Sequence, residues 1–122
     1  MREEETFDEP AVRERLTALP HWRYVDQALE RVYRTANFKG ALMVTMAVGH
    51  LCEAAWHHPD LSVNYSGVTV RLSTHSAKGI TAKDFALAAK IEDMIGWQPG
   101  LTAEGTLEGT PTDPKHAYIR YA

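Results

Sequence analysis

Hydrophobic residues along the chain follow two different periods. In some stretches they recur every three or four positions, which is typical of one face of a helix, and in others they alternate with polar residues, as in a half-buried strand. Glycine, proline and asparagine separate these stretches. The order predicts helix, two strands, helix, two strands, helix and a tail. The predicted helices cover residues 8–19, 38–57 and 81–95, and the predicted strands cover residues 21–25, 28–35, 62–65 and 67–74.

The first predicted helix is bounded by residues that favour its two ends. Asp8 can cap the N-terminus and Pro10 fits the first turn, whereas Pro20 ends the helix. Asp26-Gln27 is the predicted turn of the hairpin that follows. The apolar anchors expected in these elements are Val12, Leu16 and Leu19 in the helix and Trp22, Tyr24, Leu29 and Val32 in the strands.

The helix over residues 38–57 carries the strongest pattern in the chain. Asn37 is a plausible cap, and the residue before a proline avoids helical geometry, so Pro59 should stop the helix by about His57. Its core stripe is predicted to consist of Ala41, Leu42, Val44, Thr45, Val48, Leu51, Cys52 and Ala55. A second face mixes apolar and polar residues and is therefore expected to meet something other than bulk water: Lys39, Met43, Met46, His50, Glu53 and His57.

The remaining elements complete a single domain. Val68, Val70 and Leu72 alternate with polar residues in a predicted hairpin around Ser66-Gly67. The last helix is predicted to begin at Thr81 and to stop at Gly96. Short adjacent strands favour antiparallel pairing, so we predict a two-layer α+β fold, with a four-stranded antiparallel sheet and helices on one face. The predicted domain covers residues 1–96, and residues 97–122 form a loop-rich extension with a possible short strand over residues 116–121.

Composition excludes several classes of function. The net charge of −3 gives no electrostatic reason to expect a nucleic-acid or anionic-membrane partner. The single cysteine, Cys52, excludes an internal disulfide and a multi-cysteine zinc site. No apolar run reaches the length of roughly 18 residues that a membrane span needs, and the start of the chain is acidic. A cytoplasmic protein is the expectation.

Ionisable residues concentrate between Glu53 and Asp84. In one interpretation, His50, Glu53 and His57 share a helix face and bind a metal with His75. In the other, the histidines act as general acid and base, since imidazole titrates near physiological pH, and Glu53 orients a ring one turn away. No activated nucleophile is evident, which favours the second interpretation.

Structural interpretations also exist for each of these residues. His57-His58-Pro59 can be a polar helix terminus, and the Thr81-x-x-Asp84 spacing is that of a capping box. His75 can be an exposed residue at a strand end, and Trp22 can be a core aromatic residue. Individually these explanations suffice, but together they leave the clustering unexplained.

The motif around the histidines resembles that of the pterin-4a-carbinolamine dehydratases, some of which also serve as a dimerisation cofactor for a hepatocyte nuclear factor. The resemblance covers roughly residues 10–95 and includes Leu19–Trp22. Its most specific part is a histidine pair before proline followed by a Thr-His dipeptide. The matching residues are Glu53, His57, His58, Pro59, Tyr65, Val68, Leu72, Ser73, Thr74, His75, Gly79, Thr81 and Asp84.

The resemblance implies a reaction and a set of site residues. The implied reaction is dehydration of 4a-hydroxytetrahydrobiopterin to quinonoid dihydropterin, with no metal and no tightly held cofactor. The implied assembly is a homodimer or homotetramer. By correspondence, the active-site histidines are His57, His58 and His75, the supporting carboxylates are Glu53 and Asp84, and the pocket tryptophan is Trp22.

Some features depart from the family pattern. His21 replaces the usual glycine, the strand at residues 32–35 lacks one customary aromatic residue, and the tail from Trp97 has no counterpart in short members. Relatives without dehydratase activity act as assembly factors, one of them associated with Rubisco in carboxysomes, so a non-catalytic binding role is the alternative. Such relatives generally lose part of the histidine set. The set is complete here, which favours the enzyme.

Overall fold

The structure is a computed structural model that describes residues 5–101 and 105–121. In the described residues, three α-helices and four strands follow one another in the predicted order, and a fifth strand lies near the end. The helices are α1 (Glu9–Arg15), α2 (Phe38–Ala55) and α3 (Ala82–Ile95); the strands are β1 (Arg23–Val25), β2 (Ala28–Thr35), β3 (Asp60–Asn64), β4 (Gly67–Leu72) and β5 (Ile119–Arg120).

The predicted start of α1 and the predicted turn between β1 and β2 are confirmed. The Asp8 carboxylate accepts a hydrogen bond from the Ala11 amide and caps α1, and the last predicted turn of this helix is a short 3-10 segment at Leu16–Ala18. Asp26 and Gln27 form the predicted turn, and both have positive φ, the geometry that matches the twist of a two-residue hairpin.

All pairs of neighbouring strands in the sheet are antiparallel. The strand order is β1-β2-β4-β3, and β2 pairs with β4 along most of its length, from Leu29 opposite Leu72 to Arg34 opposite Gly67. The second hairpin turns at Tyr65-Ser66, one residue earlier than predicted. The predicted α+β fold with an antiparallel sheet is confirmed, and the sheet has a fifth strand.

The core lies between the helices and one face of the sheet. Val68, Val70 and Leu72 are fully buried, as their alternation predicts, and they pack with buried residues of α2 and α3. Two assignments were wrong. Tyr33 rather than Val32 is the buried partner of Leu29 on β2, because Leu29 and Tyr33 share a strand face.

The second wrong assignment concerns α2. Leu42 was assigned to the core stripe but is 45% exposed, next to the exposed Met43 and Met46. Ala55, at the end of the same predicted stripe, is also exposed. The buried side of α2 is narrower than predicted, and its buried residues are Gly40, Ala41, Val44, Val48 and Cys52.

The C-terminal extension returns to the sheet. Residues 99–101 form a 3-10 turn, and β5 pairs antiparallel with Arg34 and Thr35 at the end of β2. The Ala36 amide also donates to the Tyr118 carbonyl at 2.9 Å. The predicted strand over residues 116–121 is therefore confirmed as a shorter one. Within the described ranges, no helix is both long and apolar enough to cross a membrane.

Candidate active site

The end of α2 determines where the histidine pair lies. Trp56 takes a left-handed conformation, with φ of 54°, directly after the last helical residue. The amides of Trp56 and His57 donate back to carbonyl groups of the last turn, and the bond from His57 to Cys52 is that of a Schellman motif. The helix thus ends two residues before the predicted stop, and a left-handed cap supplements the effect of Pro59 on the chain direction.

This turn brings His57 to the start of α3. Its Nε2 atom lies 2.7 Å from Oδ1 of Asp84, and the two side chains are 13% and 0% exposed. Asp84 was predicted either to cap α3 or to support the histidines; one of its oxygen atoms caps α3 and the other contacts His57, while its supporting role stays a prediction. Oδ2 accepts from the Thr81 amide at 2.9 Å to complete the capping box, which leaves Oδ1 for His57.

Two threonine hydroxyl groups lie behind the same carboxylate. Thr74 Oγ1 donates to Asp84 Oδ2 at 2.8 Å and lies 2.7 Å from Thr81 Oγ1. Both threonines are buried. Thr74 follows β4 and forms an isolated bridge with Gly79. The loop between β4 and α3 is thus hydrogen-bonded to Asp84 at both ends, through the Thr74 hydroxyl and the Thr81 amide.

His58 lies beside His57 in the chain but has a different partner. Its Nε2 atom lies 2.9 Å from Oε1 of Glu53, and these side chains are 51% and 67% exposed. Trp56 contacts the His58 ring edge to face, with 4.9 Å between ring centroids. Glu53 was predicted to orient a histidine ring from one turn before His57. The ring that it contacts is that of His58, because the turn at Trp56 directs His58 rather than His57 toward it.

His75 is exposed and directly follows Thr74. Because Thr74 is bonded to the carboxylate that holds His57, the two segments that carry the three histidines are joined through Asp84. The structure therefore links residues that are far apart in sequence into one hydrogen-bonded arrangement.

The residues of the metal interpretation do not face one another. His57 contacts Asp84, Glu53 contacts His58, and His50 lies exposed on α2. Among the residues that the structure describes, no group of three or more histidine, cysteine or carboxylate side chains is arranged to hold a metal ion. The geometry gives the metal interpretation no support.

Trp22 lies apart from the histidines. It is 3% exposed, and its indole N–H donates to Oε1 of Glu92 at 2.9 Å. Glu92 lies two turns after Asp84 on α3, a separation of about 12 Å along a helix axis. The assignment of Trp22 as a residue that stacks on a pterin stays a prediction, and its observed contacts are those of a core aromatic residue.

Glu92 is the centre of a cluster that the sequence analysis missed. Besides Trp22, it accepts hydrogen bonds from the Arg31 guanidinium at 2.9 and 3.2 Å and from the Tyr33 hydroxyl at 2.8 Å. Burial alone would raise the pKa of Glu92, but these hydrogen bonds and the Arg31 charge outweigh it and lower the pKa. The available signal was an arginine on the buried face of β2, between Leu29 and Tyr33.

The thiol of Cys52 is unsuited to nucleophilic chemistry. The residue is 1% exposed on the core side of α2, and burial raises the pKa of its thiol to about 11. Cys52 is therefore not a candidate nucleophile of this site.

A two-layer α+β domain in which one histidine of a His-His-Pro motif contacts a buried carboxylate is the class of protein that the structure defines. The family described as pterin 4 alpha carbinolamine dehydratase matches residues 5–94. The chain belongs to this family.

Relatives and a solved structure agree with this membership. A protein of Chloroflexus aurantiacus, provisionally named pterin-4-alpha-carbinolamine dehydratase, is 42% identical over 90 residues, which are 74% of this chain and 97% of the relative. A protein of Aquifex aeolicus with the same provisional name is 38% identical over 73% of this chain and 90% of its own length. The crystal structure of a transcriptional coactivator/pterin dehydratase from Brucella melitensis matches with a TM-score of 0.68 and 30% identity, over 74% of this chain and 98% of that one.

Proposed function

We propose that this protein is a hydro-lyase that converts 4a-hydroxytetrahydrobiopterin, a pterin-4a-carbinolamine, to quinonoid dihydropterin by histidine acid–base catalysis. Family membership supports the reaction class. The observation that carries the proposal for this chain is the pairing of His57 with the buried Asp84. His58 directly follows His57 in the chain, and His75 directly follows Thr74, which donates to the same carboxylate.

The reaction requires only two proton transfers. The C4a–O bond breaks as the departing hydroxyl group takes a proton and leaves as water, and N5 loses its proton as the C4a=N5 double bond forms. One histidine donates the first proton and another accepts the second. Acid–base assistance of this kind contributes a factor of about 10²–10⁴ to a rate. Such a contribution suits a reaction that also proceeds unaided.

The three histidines differ in ways that suit different roles. His57 is nearly buried and bonded to a fully buried carboxylate, which holds its ring in place. His58 is half exposed beside Glu53, and His75 is exposed in the loop after β4. In the proposed site, His57 is the fixed group, and the other two can adjust to the substrate.

The decisive experiment measures the loss of the 4a-carbinolamine absorbance with purified protein. The wild-type chain should accelerate it, and His57→Ala or His75→Ala should reduce the acceleration by about tenfold or more, the lower range of an acid–base contribution. His50→Ala, which changes an exposed histidine on α2, is the matched control and should leave the rate unchanged. A wild-type rate equal to the spontaneous rate would refute the proposal.

A binding role is the second candidate. The Brucella melitensis relative is described as both a coactivator and a dehydratase. In this chain, residues 95–122 lie outside the family match, and part of that extension packs on the sheet as β5. Wild-type protein that folds but leaves the spontaneous rate unchanged would favour this role over catalysis.

We also propose that the protein forms a homodimer or homotetramer. The exposed face of α2 carries Leu42, Met43 and Met46, which are 45%, 49% and 77% exposed in the single chain. Contiguous apolar surface of this kind marks interaction sites in soluble proteins. Sedimentation velocity of the full chain measures the assembly directly.

A further inference from the structure

The hydrogen bonds behind Asp84 have a determined direction. Thr74 carries one hydroxyl hydrogen, and it donates this hydrogen to Asp84 Oδ2 at 2.8 Å. The 2.7 Å contact between the two threonine hydroxyl groups must then use the hydrogen of Thr81. Thr81 Oγ1 in turn accepts from the Lys83 amide at 3.3 Å. The chain of donors therefore runs from the Lys83 amide to Thr81, from Thr81 to Thr74 and from Thr74 to the carboxylate.

The contacts of Asp84 Oδ2 are those of a carboxylate that accepts hydrogen bonds. Oδ2 receives two donors, the Thr74 hydroxyl and the Thr81 amide. Asp84 is also the third residue of α3, where the helix N-terminus favours a negative charge. An ionised carboxylate only accepts hydrogen bonds, so the 2.7 Å contact with His57 requires a hydrogen on Nε2 of the imidazole.

This requirement holds in both charge states of His57. The neutral ring then carries its single hydrogen on Nε2 and has its lone pair on Nδ1, and the cationic ring carries hydrogens on both nitrogens. From these contacts we propose that His57 exchanges its proton with the substrate through Nδ1. In this proposal Thr74 and Thr81 are positioning residues, because they hold Asp84 where it accepts the hydrogen of His57 Nε2. The role in exchange rests on the proposed dehydratase function, whereas the position of the hydrogen does not.

The other two histidines lack such a constraint. His58 Nε2 also lies near a carboxylate, but that pair is 51% and 67% exposed, so water competes for both groups. His75 is exposed in a loop. Of these three histidines, and within the part of the chain that the structure describes, His57 alone contacts a carboxylate with 0% exposure.

Nitrogen-15 NMR of the histidine rings in the full-length protein tests the proposal directly. Long-range proton–nitrogen correlations show which ring nitrogen carries hydrogen, and the measurement is made above about pH 8, where an ordinary imidazole is neutral. The expected spectrum for His57 has a protonated Nε2, with either a bare Nδ1 or a ring that is still cationic. A bare Nε2 on His57 would overturn the proposal.

Substitutions at Thr74 test the positioning role. Thr74→Val removes the hydroxyl at nearly constant volume, and we expect a mixture of His57 tautomers and a kcat reduced by about tenfold with KM changed by less than about twofold. Thr74→Ser retains the donor and should restore both readouts. Thr45→Val is the matched control, because the Thr45 hydroxyl donates to a helix carbonyl at 2.7 Å, away from the site.

The results separate this inference from the proposed function. A fixed His57 tautomer in a protein without dehydratase activity would refute the function and keep the assignment of the hydrogen. An active protein whose Thr74→Val variant keeps both the single tautomer and the wild-type kcat would refute the positioning role of Thr74. If Thr74→Val does not fold, as judged by near-ultraviolet circular dichroism, the wild-type spectrum and Thr74→Ser still decide.

Discussion

Replacing Glu92 by glutamine should destabilise the fold far more than an ordinary surface substitution. Oε1 of Glu92 accepts from Trp22 Nε1, from Arg31 Nε and from the Tyr33 hydroxyl at 2.8–2.9 Å, and Oε2 accepts from Arg31 Nη2 at 3.2 Å. An amide of the same shape retains one acceptor oxygen and places an N–H₂ group against the second Arg31 donor. The substitution therefore removes a negative charge and leaves two hydrogen-bond donors, the new amide group and Arg31 Nη2, facing each other without an acceptor.

The magnitude follows from the burial of the pair. The side chains of Arg31 and Glu92 are 11% and 24% exposed, so water replaces little of the lost interaction. Breaking a buried pair by removing one partner costs about 3–5 kcal/mol. Arg31 keeps a hydrogen bond to the Val32 carbonyl and its position over the Tyr33 ring. These remaining contacts reduce the expected loss to about 2–4 kcal/mol at neutral pH, a large part of the stability of a small domain.

The same carboxylate makes stability depend on pH. The pKa of Glu92 in the folded protein lies below its usual value of 4.5. As pH falls, the unfolded chain binds a proton at this group before the folded chain does. The stabilising contribution is therefore complete above about pH 5 and is lost as pH falls through the folded pKa. In Glu92→Gln this part of the pH dependence should vanish.

Urea unfolding at several pH values, followed by tryptophan fluorescence, measures both effects. Glu9→Gln is the matched control, because Glu9 also pairs with an arginine, at 2.7 Å, but both side chains are more than half exposed. That pair should contribute less than about 0.5 kcal/mol. Equal losses in the two variants, or a Glu92→Gln loss below about 1 kcal/mol, would refute the role assigned to burial.

Two further predictions concern α2 and its contacts. Alanine in a helix interior stabilises by about 1 kcal/mol relative to glycine, so Gly49→Ala, whose added carbon meets nothing within 4 Å, should raise the stability to urea. Gly40→Ala should not raise the stability, because its added carbon would lie 3.0 Å from the Tyr118 carbonyl oxygen. That oxygen accepts from the Ala36 amide, so hydrogen exchange of this amide should become faster. Equal gains in stability at both glycines would contradict this reasoning. Met46→Lys places a charge on the exposed face of α2 and should lower the sedimentation coefficient of an assembled protein, and an unchanged coefficient would place the interface elsewhere.

Local signals account for most of the fold that could be predicted. Asp8, Asn37 and Thr81 were identified as helix caps because a cap depends on residues only a few positions away, and each accepts the expected backbone hydrogen bond. The alternation around Val70 determined which face of β4 is buried, since strand side chains alternate strictly.

The differences from the prediction have two causes, the packing of distant parts of the chain and a local break in helical geometry. The pattern of α2 placed Leu42 in the core, but the sheet covers a narrower side of the helix than the periodicity suggests. Glu53 was placed beside His57 by helical spacing, but the left-handed residue Trp56 breaks that spacing. A helical wheel describes neighbours only while the backbone remains helical.

By itself, the sequence determined the order of the elements, their caps, the antiparallel α+β class and the set of histidines, because each follows from periodicity, from local hydrogen bonding or from a recognisable motif. Only the tertiary structure decided the partners of the polar groups: His57 with Asp84, His58 with Glu53 and Trp22 with Glu92. The pairs with Asp84 and Glu92 depend on how α3 packs against α2 and the sheet, whereas the pair of His58 and Glu53 depends on the left-handed turn at Trp56. A buried carboxylate must find its donors wherever packing places them, and spacing along the chain does not contain that information.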